Sequence, residues 1–204
     1  NQLVSMVRQT EDVDIAAGIV RKSLDGMRDT MKISMTDELT GIPNRRGFMD
    51  RVETVFAGMK RSGHPAEAAF IFIDLDEFKP VNDMYGHDVG DIVLKAVAKT
   101  LKQSVRKNDI VGRLGGDEFV VLMINDDTSV QNGRNFAEEA LGRLINKMKD
   151  LSVIFYNDEA DAYDAIDIRA SYGLKAVDKE VLKKEDLETI IKAADAKMYA
   201  NKKS

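Results

Sequence analysis

The sequence contains no cysteine, and it contains no long hydrophobic run. Without cysteine there are no disulfides and no thiolate metal sites, which fits a reducing compartment. No apolar run is longer than AAFIFI, from Ala68 to Ile73, and a bilayer needs roughly 20 such residues. The sequence therefore predicts no membrane-spanning segment.

An excess of basic residues is also missing, since 30 Lys and Arg stand against 35 Asp and Glu and the net charge is −5. Proteins that bind nucleic acid usually carry a basic face, so we expect no nucleic acid partner. A small phosphorylated ligand needs only a few local cations and stays possible. The 204 residues suffice for one domain and an appendage. Because the first residue is Asn and no signal peptide follows, we expect a piece of a longer protein.

The first 35 residues form the expected appendage. Apolar side chains recur there at alternating spacings of four and three residues, at Val13, Ala17, Val20, Leu24, Met27 and Met31. This alternation is typical of a coiled-coil seam. It fits a helix that pairs with its copy in a dimer, or a single amphipathic helix that lies on its own domain. We favour the dimeric seam, in a signalling helix over residues 1–35.

Residues 36–204 alternate between strand and helix patterns. The predicted elements are a helix from about 45 to 61, a buried strand in AAFIFIDLDEF, a helix over 89–105, a hairpin of DIVGRL and EFVVLMI, a helix over 136–148, a strand in AIDIRASYGLKAV after an acidic loop at 157–164, and a helix from 184 to about 202. This order predicts an α+β fold, in which helices flank a central, mainly antiparallel sheet of the split βαβ kind.

Acidic residues stand where two predicted strands end. Asp74 and Asp76 close the first strand, and Asp117 and Glu118 stand at the hairpin tip. If the two strands are neighbours, Asp74 and Asp117 converge. Paired carboxylates with open positions suit Mg²⁺, which binds one or two carboxylates plus substrate phosphates.

Gly115 and Gly116 precede these acids and let a substrate approach the backbone closely. The same GGD turn is also a common hairpin signal, in which the acids are only solvated. The run DLDEFKPVNDMYGHDVGD, at 74–91, favours a ligand site, because it places many polar residues in a connection that we expect to be short.

Five stretches of the sequence resemble one family, the GGDEF-domain diguanylate cyclases, which are bacterial enzymes that join two GTP into cyclic di-GMP. They are DELTGIPNRR at 37–46, DLDEFKPVNDMYGHDVGD at 74–91, GGDEF at 115–119, ASYGLKAV at 170–177 and AADAKMYANKK at 193–203. The resemblance covers about residues 36–203. It implies a catalytic domain with a nucleotidyl-cyclase palm-like fold.

The resemblance implies two Mg²⁺ or Mn²⁺ ions in each active site. Asp74 and Asp117 match the metal-binding carboxylates, and the carbonyl of Leu75 matches a further ligand. Such ions activate the 3′-hydroxyl and polarise the α-phosphate. Glu118 matches a residue that assists either with metal or with deprotonation.

The resemblance also implies a GTP site. Asn82 and Asp91 match the residues that read guanine, whose N1–H and N2–H₂ donate to a carboxylate. Adenine lacks this pair of donors, so Asp91 favours GTP. The matched phosphate-binding groups are Lys79, Lys202 and the backbone near Phe78, beside Gly115 and Gly116. Family members carry a further arginine just after the matched lysine, and the sequence ends at Ser204 without it.

The family's product-inhibition site has the pattern RxxD, which Arg106 and Asp109 match. The residues alone also fit an exposed Arg–Asp pair at a helix end. Each domain binds one GTP and the product has two phosphodiester bonds, so the resemblance implies a homodimer for activity. It also implies an upstream sensor domain and a cytoplasmic location, either free or as part of a membrane-bound sensor.

Three other functions compete with an active cyclase. A degenerate domain would bind cyclic di-GMP or GTP as a receptor, but the matched metal and signature residues are all present. A purely structural dimerisation module does not need those acids. A cyclase for mixed nucleotides is disfavoured by Asp91.

Overall fold

The computed structural model describes residues 35–61, 67–125, 136–158 and 160–203. The predicted coiled-coil seam, from Val13 to Met31, lies outside these residues and stays a prediction. No helix in the described ranges is long and apolar enough to cross a membrane.

Helices and strands alternate through the described chain. In chain order they are α1 (Arg45–Arg61), β1 (Glu67–Leu75), α2 (Phe78–Tyr85), α3 (His87–Ser104), β2 (Ile110–Gly115), β3 (Glu118–Asn125), α4 (Phe136–Met148), β4 (Ser152–Asn157), β5 (Ala162–Asp167), β6 (Ala170–Val177), α5 (Lys179–Lys184) and α6 (Leu187–Lys202). Strands β2, β3, β1 and β6 form one sheet in that order, and β4 and β5 form a separate hairpin.

All pairings in the four-stranded sheet are antiparallel, as the sequence predicted. The central strand β1 is bonded on both sides. Its residue Asp74 stands in register with Glu118 of β3 on one side and with Ser171 of β6 on the other. The functional end of β1 is therefore held by two ladders.

Both faces of the sheet are covered by helices, which explains why β1 reads as a continuous apolar run. Ala69, Ile71 and Ile73 face a core formed with α3, α4 and the β4–β5 hairpin. Phe70 and Phe72 face a second core formed with α1, α5 and α6. This packing fixes the α+β architecture that the sequence predicted.

Three local predictions are wrong. AIDIRASYGLKAV is two strands, β5 and β6, in different sheets. The acidic loop at 157–164 is mostly hairpin, since β4 ends at Asn157 and β5 begins at Ala162. The 74–91 connection contains helix α2. The predicted final helix is confirmed as α6, which the Asp186 side chain caps by accepting from the Thr189 N–H. The short helix α5 before it was not predicted.

Candidate active site

The ends of β1 and β3 bring two acids together. Asp74 lies opposite Glu118 in the ladder, and the backbone N–H of Leu75 donates to the carbonyl of Asp117 at 3.3 Å. Burial raises the pKa of Asp117, and the negative charge of Asp74 adds to the rise. The predicted convergence of Asp74 and Asp117 is thus present, at a place where a cation would be stabilised.

Lys202 reaches this acidic pair from the last turn of α6. Its Nζ forms an ion pair with Asp74 and lies 3.9 Å from Asp76 Oδ1. Burial lowers the pKa of Lys202, but the hydrogen bond to Asp74 and the surrounding carboxylates outweigh burial and leave the pKa raised. Helix α6 can deliver this lysine because β6 has Gly173 beneath it: a Cβ there would lie 1.9 Å from the Ala194 carbonyl oxygen.

The turn between β1 and α2 exposes backbone donors. Glu77 adopts a left-handed conformation with φ of 56°, and no side chain caps α2. The first N–H groups of α2, at Phe78 and Lys79, are therefore available to an anion. Asp76 steadies the turn, since it accepts a hydrogen bond from the Ser171 hydroxyl at 2.8 Å. Lys79 is exposed on the same turn of the helix.

The turn at Gly115 and Gly116 is held by side chains from outside the turn. Gly116 has φ of +46°, which glycine adopts without strain. The guanidinium of Arg113 donates to the Gly116 carbonyl at 2.7 and 2.9 Å and pairs with Asp37 at 3.1 Å. Burial alone would raise the pKa of Asp37, but hydrogen bonds from Thr40 and the Arg113 guanidinium outweigh burial and lower the pKa.

Glu118 lies beside α1 and α6, on the same face of the sheet as Asp74, its partner in the ladder. It lines a cavity with Arg45 and Asp195. Burial raises the pKa of Glu118, the charges of Asp195 and Asp74 add to the rise, and Arg45 opposes it. A carboxylate with a raised pKa is suited to proton transfer near neutral pH.

Asn82 and Asp91 belong to neighbouring helices that meet at Gly86. A Cβ on Gly90 would lie 1.9 Å from Asn82 Oδ1, so the Asn82 side chain lies against the backbone next to Asp91. The structure therefore places these two predicted guanine-reading residues at one helix junction.

Arg106 and Asp109 shape the turn between α3 and β2. The Asp109 carboxylate accepts from the N–H of Arg106 at 2.7 Å and from the N–H of Ile124 at 2.9 Å. These bonds fix the turn, and Arg106, Asp109, Arg51 and Lys102 line one cavity of about 350 Å³. The alternative that the residues alone allowed, an exposed Arg–Asp ion pair, is absent from the ion pairs of the described residues.

Sequence reasoning missed several residues of this site. Arg113, Asp37, Ser171 and Asp195 all lie inside stretches that carry the family resemblance, or beside one, but no local pattern shows their partners. Asp37 and Arg113 are separated by 76 residues. Only the folded chain brings them together.

The carboxylates of the candidate site fit Mg²⁺ or Mn²⁺ better than a metal ion whose ligands all come from the protein. Among the residues that the structure describes, no three His, Cys, Asp or Glu side chains surround one point. Asp74 and Asp117 do converge, and two carboxylates that leave positions for substrate phosphates are the arrangement that Mg²⁺ uses.

A sheet whose central strand ends in converging carboxylates, next to a lysine and an uncapped helix, defines an α+β domain with a candidate site for a cation and a phosphorylated ligand. A family model described as "Diguanylate cyclase, GGDEF domain" matches residues 34–204. The chain belongs to this family, as the sequence predicted.

Relatives agree with this assignment. The diguanylate cyclase DgcP of Escherichia coli is 35% identical over 170 residues, which are 83% of this chain and 45% of that protein. The chain thus spans less than half of this relative's length.

Two solved structures share the fold. A sensory box/GGDEF family protein from Caulobacter crescentus is 30% identical with a TM-score of 0.68, over 83% of this chain and 98% of that one. The coiled coil and GGDEF domain of DgcB from Caulobacter crescentus, in complex with cyclic di-GMP, has a TM-score of 0.75 at 22% identity, over 94% and 92%. At that identity the likeness shows the fold.

Proposed function

We propose that the chain is a diguanylate cyclase, which condenses two GTP into cyclic di-GMP and two pyrophosphates. The observation that carries this proposal is the convergence of Asp74 and Asp117 beside Lys202 and the uncapped start of α2. These groups supply what a triphosphate needs, namely carboxylates for cations, an ammonium group and backbone donors.

Asp74, Asp117 and the carbonyl of Leu75 would hold the two divalent ions. When bound, such ions neutralise the triphosphate and lower the pKa of the attacking 3′-hydroxyl. Lys202 now pairs with Asp74, and its raised pKa keeps it charged, so it can turn to a phosphate when the carboxylate takes a cation. Glu118, whose pKa burial raises, either assists with metal or accepts the hydroxyl proton.

Recognition of GTP is divided between two helices. The start of α2, with Lys79 and the N–H groups near Phe78, holds the terminal phosphates. Asn82 and Asp91, at the junction of α2 and α3, read the guanine edge, where the carboxylate accepts from N1–H and N2–H₂. Gly115 and Gly116 leave room for the nucleotide, since no atom lies within 4 Å of a Cβ built on either.

The reaction requires two copies of the domain. Each copy binds one GTP and presents its 3′-hydroxyl to the α-phosphate of the other, so the two active sites face each other. The seam at residues 13–31 would bring the copies together and transmit a signal from an upstream sensor domain, at the cytoplasmic side of a membrane or free in the cytoplasm.

Cyclic di-GMP would also inhibit the enzyme at the cavity of Arg106 and Asp109. Arg106 can donate in a fork to guanine O6 and N7 or to phosphate. The residues that line this cavity include four cations and one carboxylate, a balance that favours an anionic ligand; the cations are Arg51, Lys102, Arg106 and Lys107.

Incubation with GTP and Mg²⁺, followed by chromatography, tests the proposal. The unaltered chain is expected to form cyclic di-GMP. Asp117→Asn is expected to lower the rate by about 100-fold or more, as loss of a metal ligand or of transition-state charge stabilisation does. Asp158→Asn, at an exposed turn of the β4–β5 hairpin, is the matched control and should not change the rate.

If the chain binds GTP but forms no product, fusion to a dimeric coiled coil decides between a receptor and a monomeric enzyme. A forced dimer that still forms no cyclic di-GMP contradicts the proposal.

A further inference from the structure

We infer that a cavity behind the nucleotide turn binds a small, uncharged aromatic or heteroaromatic molecule. The cavity lies between α2, the end of β1 and the base of the β4–β5 hairpin. Its volume is about 290 Å³, which is at the lower end of the range for ligand pockets. One or two fused rings fill such a space.

The walls of this cavity are mostly apolar. Leu75, Val93 and Ile168 are buried, and Val81 and Ile166 are half-buried. Met84 lines the same cavity and is 71% exposed, so it forms the mouth. Methionine is flexible and polarizable, which lets a wall adapt to an aromatic ring.

The charges at the rim decide which molecules are excluded. The charged residues that line the cavity are Asp76, Glu77, Asp167 and Arg169, three acids against one base. The Asp76 carboxylate itself is bonded to the Ser171 hydroxyl. This negative balance disfavours an anion such as a phosphate. The apolar walls disfavour a hydrated cation or a sugar. A neutral ring fits both conditions, and a ring N–H can donate to a rim carboxylate.

Of the residues proposed to bind nucleotide or metal, the cavity lining includes Leu75 and Phe78 alone. Asn82 lies against Gly90 on α3, and neither Asn82 nor Lys79 lines the cavity. One wall comes from the β4–β5 hairpin, which contributes none of the residues proposed for nucleotide or metal. A ring in the cavity and a nucleotide at the site can therefore be bound together.

The cavity and the nucleotide turn share a wall, so occupancy of one affects the other. Asp76 donates its N–H to the Arg169 carbonyl at 2.9 Å and accepts from Ser171 at 2.8 Å. Asp76, Glu77 and Phe78, which form the turn, line the cavity from behind. A ring pressed against them shifts the first N–H groups of α2, and this regulatory consequence rests on the proposed function.

Binding is tested with 5-fluoroindole as the probe, by fluorine NMR titration of the whole chain. A ligand of this size is expected to bind with a dissociation constant on the order of 1 mM. An anionic counterpart, 5-fluoroindole-3-acetate, should bind at least about 5-fold more weakly, a modest charge effect. Saturable binding with this preference supports the inference, and its absence overturns it.

Two variants locate the probe. Ile166→Trp places a large side chain in the cavity and should weaken binding by about 10-fold, the effect of losing little more than 1 kcal/mol. Ile154→Trp is the matched control on the same hairpin, because Ile154 is 69% exposed on the outer face. If circular dichroism shows that Ile166→Trp does not fold, Ile166→Phe is used in its place. Equal binding by the wall variant and the control overturns the assignment.

Coupling is measured by titration with GpCpp, a GTP analogue whose α,β-methylene bridge prevents release of pyrophosphate. Saturating 5-fluoroindole should change the affinity for GpCpp at least 2-fold, while the probe stays bound at saturating GpCpp. Complete displacement of the probe would assign the cavity to the nucleotide and overturn the inference. An unchanged affinity would overturn the coupling. Neither readout needs turnover, so failure of cyclase activity is distinguishable from failure of this site.

Discussion

At the scale of single residues, the site depends on side chains that no reaction step uses. Arg113 holds the glycine turn through the Gly116 carbonyl and is itself held by Asp37. The pair is mostly shielded, with exposed side-chain fractions of 12% and 23%. Asp37 therefore ties the segment that enters the domain to the turn that carries Asp117.

Replacing Asp37 by asparagine should reduce stability in a pH-dependent way. Its folded-state pKa is lowered, so its contribution is complete above the unfolded-state pKa of about 3.9 and is lost as the pH falls through the folded-state value. Asp37→Asn should cost about 1–3 kcal/mol at pH 7. Urea unfolding near pH 7 and about pH 3 should show the difference shrink. Asp158→Asn is the control, and an equal cost at both pH values contradicts the mechanism.

At the scale of elements, close packing of β6 against α6 positions Lys202. Gly173→Ala places a Cβ 1.9 Å from the Ala194 carbonyl oxygen and 2.5 Å from the Met198 nitrogen. Overpacking of this kind costs about 1–3 kcal/mol, and a shifted α6 moves Lys202 away from Asp74. We expect a lower melting temperature and a lower cyclase rate.

Gly142→Ala is the matched control for this prediction. Gly142 lies in α4, and no atom is within 4 Å of a Cβ built there. The alanine should stabilise the helix by roughly 0.5–1 kcal/mol without changing the rate. Calorimetry and the rate measurement together check both variants. Equal effects of the two substitutions would contradict the role of close packing.

The elements also show what the sequence could predict. The apolar period of α1, α4 and the β2–β3 hairpin is strong, because each buries a continuous face, and these predictions are confirmed. Helix α2 was not predicted because it is only eight residues long and buries none of them fully, and its apolar residues are interspersed with polar ones in a run that reads as a loop. The β4–β5 hairpin was not predicted because its exposed face and acidic turn have the composition of a loop, although Val153 and Phe155 are buried.

The candidate site was predictable for the same reason. Asp74 stands at the end of the apolar strand β1 and Asp117 immediately precedes the apolar strand β3, so pairing of these two strands brings the acids together. The anchoring contacts of Arg113 and Ser171 could not be predicted, because their partners lie 76 and 95 residues away in the chain. A local sequence pattern does not reveal contacts between residues that are so far apart in the chain.

At the scale of the whole molecule, the proposed reaction requires a second copy of the domain. The seam at Val13, Ala17, Val20, Leu24, Met27 and Met31 predicts how two copies meet. Leu24→Pro should abolish dimers, because proline breaks a helix interior at a cost of about 3 kcal/mol. Analytical ultracentrifugation measures this, with Lys22→Ala, off the seam, as the control. Unchanged dimers in Leu24→Pro contradict the seam.

The candidate site is carried by strand β1 and helix α2, and these two elements are held in the fold to different degrees. This difference affects the order in which a substrate makes its contacts. Strand β1 is bonded on both sides, so its amide protons should exchange only when the whole domain unfolds. Helix α2 should open locally and exchange much faster. If GTP is the substrate, as proposed, ordering α2 costs entropy that GTP must offset. Phosphates that share cations with the carboxylates at the end of β1 therefore engage first, and the contacts that α2 makes to the terminal phosphates and to guanine form last. Exchange rates of α2 amides that do not slow when GpCpp is added would contradict this sequence.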